Sequence, residues 1–214
     1  MTGSSGSAHV LVEGQGDALA VGNLLARLSA DCSATLRWST PVRWPNLHLE
    51  RGIRKGANFV RAKPDARALL VLRDEDDACP RHRGPEMAAW LRRLGLPFPA
   101  AVVLLHPEYE VVFLPCIDLI AGRLLDGRPG LEAGTVWDGP SWEARRGVKE
   151  WLSHRFPRNR RYKPTLDQLP MTRMLDLDRV RKAEVPCFGT LERAVTFLDG
   201  CRTPGGVYPP RGRS

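Results

Sequence analysis

Leu70-Val71-Leu72-Arg73-Asp74-Glu75-Asp76-Asp77 is an apolar run that passes one arginine and ends in four successive acids. An apolar run of this length reads as a buried strand, parallel to its neighbours, whose carboxyl end opens onto a loop. In open α/β sheets ligands bind at the carboxyl ends of strands. Carboxylates crowded there repel one another unless a hard cation such as Mg²⁺ neutralises them. A solvated acidic turn has the same composition, so the run needs matching parts elsewhere in the chain.

Two other segments supply them. Ala8-His9-Val10-Leu11-Val12 is a short apolar run that stops at Glu13-Gly14-Gln15-Gly16-Asp17. After it, Leu19, Leu24, Leu25 and Leu28 fall at helical spacing, which makes a strand, glycine turn and helix. Gly14 and Gly16 suit a tight turn, but the third glycine of a dinucleotide fingerprint is missing. Ala100-Ala101-Val102-Val103-Leu104-Leu105 is a third buried strand, followed by His106-Pro107-Glu108-Tyr109-Glu110. Three apolar strands thus each end within a few residues of an acid. Glu13 also reads as an acid favouring a helix dipole, and Glu108 with Glu110 as a helix N-terminal acid pair.

Between these strands the sequence predicts an irregular stretch over 32–56, broken by Pro41, Pro45, Gly52 and Gly56, and then a helix between Asn58 and Arg67, interrupted or begun afresh at Pro64 and Asp65. A helix follows over Pro85–Leu94, with Pro85 at its first position and Gly95 as its cap. Beyond Gly122 the expected elements are a loop over 126–140 and helices over Trp142–His154, Leu175–Arg181 and Thr190–Asp199. The chain divides into a flexible lead-in (1–7), an α/β core (8–122), a mainly helical, basic extension (123–202) and a disordered Pro/Gly-rich tail (203–214).

The 214 residues are 43% hydrophobic and 26% charged, the composition of a globular protein. No window approaches the roughly 18 uninterrupted apolar residues of a membrane helix. The N-terminus lacks the basic and apolar regions of a signal peptide. Five scattered cysteines without a CxxC pair suit reduced thiols in a cytoplasmic protein, and Cys79 with His82 supplies only half of a zinc site. The net charge of +8 suits a polyanionic partner. Arg155, Arg158, Arg160, Arg161 and Lys163, interleaved with Phe156 and Tyr162, form a candidate nucleic-acid surface in which cations track phosphates and an aromatic ring stacks on a base. A basic surface turn has the same pattern.

A glutamate ending the first strand and Asp-x-Asp ending a later one resemble the Toprim fold, the metal-binding α/β module of topoisomerases, primases and OLD-type nucleases. The chain more closely resembles a small bacterial Toprim-like family of uncharacterised proteins, often associated with AAA-type ATPases and considered related to defence nucleases. Val10–Asp17, Leu70–Pro80, Pro107–Glu110 and Tyr162–Gln168 carry the resemblance. It departs in Val111-Val112-Phe113, where a small residue and then a tryptophan are expected, and in Arg73, where an apolar residue is usual.

The resemblance implies a mostly parallel, Rossmann-like sheet flanked by helices and a nuclease that depends on Mg²⁺ or Mn²⁺. Asp74 and Asp76 would hold the metal, with Glu13 as ligand or general base, and Glu110 and Glu108 at a second metal position. Lys149 would stabilise charge in the transition state, while Glu75 and Asp77 stand by. An AAA-type ATPase is the implied partner. The alternative is a Toprim scaffold that has lost catalysis and binds nucleic acid or that partner. Primase or topoisomerase activity would need further domains.

Overall fold

In a computed structural model, residues 6–139, 141–142 and 146–210 are described. The chain runs β1 (Ser7–Val12), α1 (Asp17–Asp31), β2 (Arg37–Trp38), β3 (Val42–Arg43), α2 (Glu50–Arg61), β4 (Ala66–Asp74), α3 (Pro80–Arg93) and β5 (Ala100–Leu105). A 3-10 segment (Tyr109–Cys116) leads to α4 (Ile117–Ile120) and the small hairpin of β6 (Leu124–Leu125) and β7 (Arg128–Pro129). Next come α5 (Val148–Ser153), a π-turn (Pro164–Gln168), α6 (Leu169–Arg173), α7 (Leu177–Lys182), α8 (Pro186–Gly200) and β8 (Val207–Tyr208).

The main sheet has the order β2-β1-β4-β5-β8, with β3 also paired to β1, and every pairing in it is parallel. This is the expected Rossmann-like α/β architecture. Alternate residues of a strand face opposite sides, and here both sides are covered. Val10, Val12, Leu70, Leu72, Val103 and Leu105 pack with α1, α8 and the C-terminal helices. Leu11, Leu69, Val71, Val102 and Leu104 pack with α2 and α3. The helical region after Gly122 shares the first of these two clusters and completes a layer of the core. Among the described residues no helix is long and apolar enough to cross a membrane. All five cysteines are free.

Several expected boundaries move. The stretch over 32–56 is not irregular to its end, because α2 begins at Glu50 and contains both Gly52 and Gly56. A side chain at Gly52 would collide with the Asn46 carbonyl, and one at Gly56 with Leu11 and Trp44. These glycines permit close packing rather than break the helix. Pro80, not Pro85, takes the first position of α3, and Pro85 lies inside it. The helix expected over 142–154 is confined to Val148–Ser153; Gly147, at φ +74°, precedes it, and residues 143–145 lie outside the described ones. Thr190 lies within α8 and does not cap it.

The tail is also corrected. Val207 and Tyr208 add a parallel strand to β5 at Ala100 and Ala101, and Arg92 donates to the carbonyls of Val207 and Pro209. Edge pairing and a half-buried guanidinium anchor this segment despite its Pro/Gly content. Residues 211–214 of the expected tail and 1–5 of the lead-in lie outside the described residues, while Ser7 already belongs to β1.

Candidate acidic centre

Asp74 is the last residue of β4 and continues the face that carries Leu70 and Leu72. The loop after β5 brings Glu108 and Glu110 to it, because the Tyr109 backbone N–H donates to Asp74 Oδ1 at 2.9 Å. Lys149, in the first turn of α5, closes the group from 75 residues away in sequence. Its Nζ lies 2.9 Å from Asp74 Oδ2, 3.1 Å from Glu108 Oε2 and 3.4 Å from Glu110 Oε2. Glu108 Oε1 also accepts the Lys149 backbone N–H at 3.0 Å, which fixes the start of α5 against the loop.

Glu110 is fully buried, and its Oε1 accepts the Tyr162 hydroxyl at 2.8 Å. Its Oε2 is buried without a hydrogen bond. Asp17, at the start of α1, lies close enough for its charge to act on Asp74. Its own carboxylate accepts from Gly14 N at 2.9 Å and Gln168 Nε2 at 3.0 Å.

Three carboxylates around one ammonium cannot all be neutralised by it. Burial first, then the Asp17 charge, pushes the Asp74 carboxyl up to about 7 against the opposing pull of Lys149. Burial likewise pushes Glu110 up to about 8, with Asp74 and Glu108 adding to it. Lys149 moves the opposite way to its own burial: Glu110, Asp74 and Glu108 together hold its ammonium charged. Burial, followed by the Glu110 charge, raises the Tyr162 phenol well above its ordinary value, so it remains a hydrogen-bond donor. The centre is therefore rich in carboxylate oxygens, and burial favours the protonated forms of Asp74 and Glu110.

The other expected site residues go elsewhere. Arg73 faces the opposite side of β4 from Asp74, as adjacent strand residues must. Glu13 follows it: Oε2 accepts from Arg73 Nε at 2.9 Å and Oε1 lies 3.2 Å from His48 Nδ1. Burial would raise the Glu13 pKa, but the hydrogen bonds and charges of Arg73 and His48 outweigh it and hold the carboxyl low. Glu75, expected as a bystander, is buried and bonds Arg73 Nη1 at 2.5 Å. Asp76 and Asp77 are exposed and line a separate groove of about 1190 Å³ between α3 and α8, which does not include Asp74. Thus Asp74 and Asp76 have different surroundings, and Glu13 bonds Arg73 and His48 rather than either of them.

The basic segment also divides. Tyr162 and Phe156 are buried, so neither offers a ring to a base; this corrects the stacking role expected for Tyr162. Arg155 lies over the Trp151 ring at 3.8 Å. Arg160 lies over Phe156 and pairs with the fully buried Asp167. Arg158, Arg161 and Lys163 stay exposed.

Asp17 and the inward role of Tyr162 escaped the sequence reading, although both lie in stretches that carry the resemblance. Chemically, the Asp74, Glu108 and Glu110 oxygens suit a hard divalent cation, and Glu110 Oε2, buried with no hydrogen bond and only the Lys149 ion pair, adds to that fit. As they stand, their point of convergence is taken by Lys149 Nζ, and among the described residues no group of three or more His, Cys, Asp or Glu is spaced to hold a metal. No family model, curated protein or solved structure matches the chain.

Proposed function

We propose that this chain is a divalent-metal-dependent nuclease whose reacting centre is Asp74, Glu108, Glu110 and Lys149. The observation that carries the reading is the convergence of three carboxylates on one lysine at the carboxyl ends of β4 and β5, where open α/β sheets place their chemistry. Asp74, Glu108 and Glu110 are the residues that would hold Mg²⁺ or Mn²⁺. Such an ion, when bound, relieves charge on a phosphate's nonbridging oxygens and makes water a better nucleophile.

The chain's own groups supply the rest. Burial raises the Asp74 and Glu110 carboxyls to about 7 and 8, and a bound cation would favour their ionised forms, so they serve as its ligands. Lys149, whose ammonium now faces the three carboxylates, would offer its N–H groups to a developing phosphorane oxygen once an ion took its place among them. Tyr162 fixes the orientation of Glu110 through its hydroxyl. Glu13 and Asp76 stand outside this set. By resemblance alone, an AAA-type ATPase is the proposed partner and anti-phage defence the proposed setting.

The test is cleavage of supercoiled plasmid and of single-stranded DNA or RNA with Mg²⁺ or Mn²⁺, with parent and Asp74→Asn side by side. The substitution should lower the rate by roughly a hundredfold or more. Equal cutting by the two proteins would remove Asp74 from the chemistry and the reading with it. One observation favours a second reading, a silent binding module: every acid of the centre already faces a cation of the chain. That module would show salt-sensitive binding with no turnover under either ion.

A further inference from the structure

The cations left exposed by the inward packing of Phe156 and Tyr162 are gathered into a concavity of about 390 Å³, within the size range of small-ligand sites. Arg158, Asn159, Arg160, Arg161 and Lys163 line it, and Arg128 from β7 closes its far side, a residue remote in sequence. From these residues we infer that the concavity is a phosphate pocket, holding a non-reacting backbone phosphate of a nucleic-acid strand.

Its frame is built before any ligand arrives. Asp167 is fully buried and pairs with Arg160, and its Oδ2 accepts the Lys163 backbone N–H at 2.8 Å. Arg128 Nη2 donates to the Leu166 carbonyl at 2.8 Å, and Arg160 donates to the Pro129 carbonyl. Two of the five cations are thereby held in place, while the side chains of Arg158, Arg161 and Lys163 are exposed and make no hydrogen bond or ion pair among the described residues. Asp167 offsets one charge of five, so the pocket attracts anions. Arginine planes and a lysine point charge are the groups that bind phosphate oxygens.

The pocket also has a direction. Arg161 and Lys163 face outward, and Tyr162 between them faces inward to Glu110. The Tyr162 hydroxyl thus ties the segment that lines the pocket to Glu110 of the acidic centre. The nature of the ligand rests on the nuclease reading; the binding site itself does not need turnover.

The experiment is therefore a binding titration in EDTA, with a fluorescein-labelled single-stranded DNA oligonucleotide and its RNA counterpart, at several salt concentrations. One variant replaces Arg158, Arg161 and Lys163 with glutamine. A control replaces Arg51, Arg54 and Lys55, three exposed cations of α2, and so removes the same net charge. At about 0.7 per phosphate contact on a single strand, loss of the one pocketed phosphate should lower the slope of log K against log salt by roughly 0.7 and weaken binding at least about tenfold at low salt. The control should move neither by more than a small fraction of that.

Equal effects from the two variants would assign binding to overall charge and overturn the proposal. So would parent-like binding by the pocket variant, or no binding by the parent. Displacement of the strand by micromolar pyrophosphate would reassign the pocket to a small free anion. Pocket-dependent binding without cleavage in Mg²⁺ or Mn²⁺ would sink the nuclease reading and leave the pocket standing.

Discussion

Replacing Lys149 with methionine tests the electrostatics of the acidic centre directly, because methionine keeps the length of the side chain and removes its charge. Removing one partner from a buried ion pair costs about 3–5 kcal/mol. The Lys149 side chain is 34% exposed, so solvent softens the loss and the lower end, about 3 kcal/mol, is expected above about pH 8. The cost depends on pH in a definite direction. Asp74 and Glu110 have folded pKa values above their ordinary ones, so between about pH 4 and pH 8 the folded state holds protons that the unfolded chain has released, and stability falls as pH rises through that window.

The rise of Asp74 from 3.8 to about 7 corresponds to roughly 4 kcal/mol across the window, an upper bound because the two carboxyls share one lysine and titrate together. Without the ammonium both carboxyls move further up and the slope steepens. Near about pH 5 they are protonated with or without Lys149, so the loss there should shrink to about 1 kcal/mol. Urea denaturation of parent and Lys149→Met at about pH 5 and about pH 8.5 reads both numbers. An equal loss at the two pH values would refute the argument, since it would mean that Lys149 contributes by packing and not by neutralising the three acids.

Tyr162→Phe removes the hydrogen bond to Glu110 inside the core and should cost about 1–3 kcal/mol in urea denaturation, as expected when a buried acceptor loses its donor. It should leave oligonucleotide binding in EDTA unchanged, and weakened binding would restore the stacking role. Arg73→Met leaves the buried Glu75 with only Arg83 at 3.9 Å and the Ala78 N–H, leaves Glu13 with His48, and should cost about 3 kcal/mol near neutral pH. Because Glu13 is held below its ordinary value, that contribution is present above the unfolded glutamate pKa and fades as pH falls; thermal melts at neutral and acid pH would expose a pH-independent loss as a contradiction.

Much of the fold is legible in the chain, because each long buried strand is a run of consecutive apolar residues and a parallel sheet covered on both faces demands such runs. Val10–Val12, Leu69–Leu72 and Ala100–Leu105 are the centre of the sheet for that reason. Gly52 and Gly56 misled, since a glycine that breaks a helix and one that lets a helix approach its neighbour are the same letter. The C-terminal strand was hidden because two residues paired at an edge leave no periodic pattern.

The sequence by itself determined that acids stand at the ends of three strands and that a basic segment follows them. Which acids meet was decided only by tertiary structure. Val12 pairs with Leu72, so the residue after it lies level with Arg73, and Arg73 and Asp74 face opposite sides of the sheet. Glu13 therefore joins an arginine while Asp74 joins Glu108, Glu110 and a lysine 75 residues away. Spacing along a chain cannot state that choice, because it arises from strand register and from the loop that carries α5 back over the sheet end.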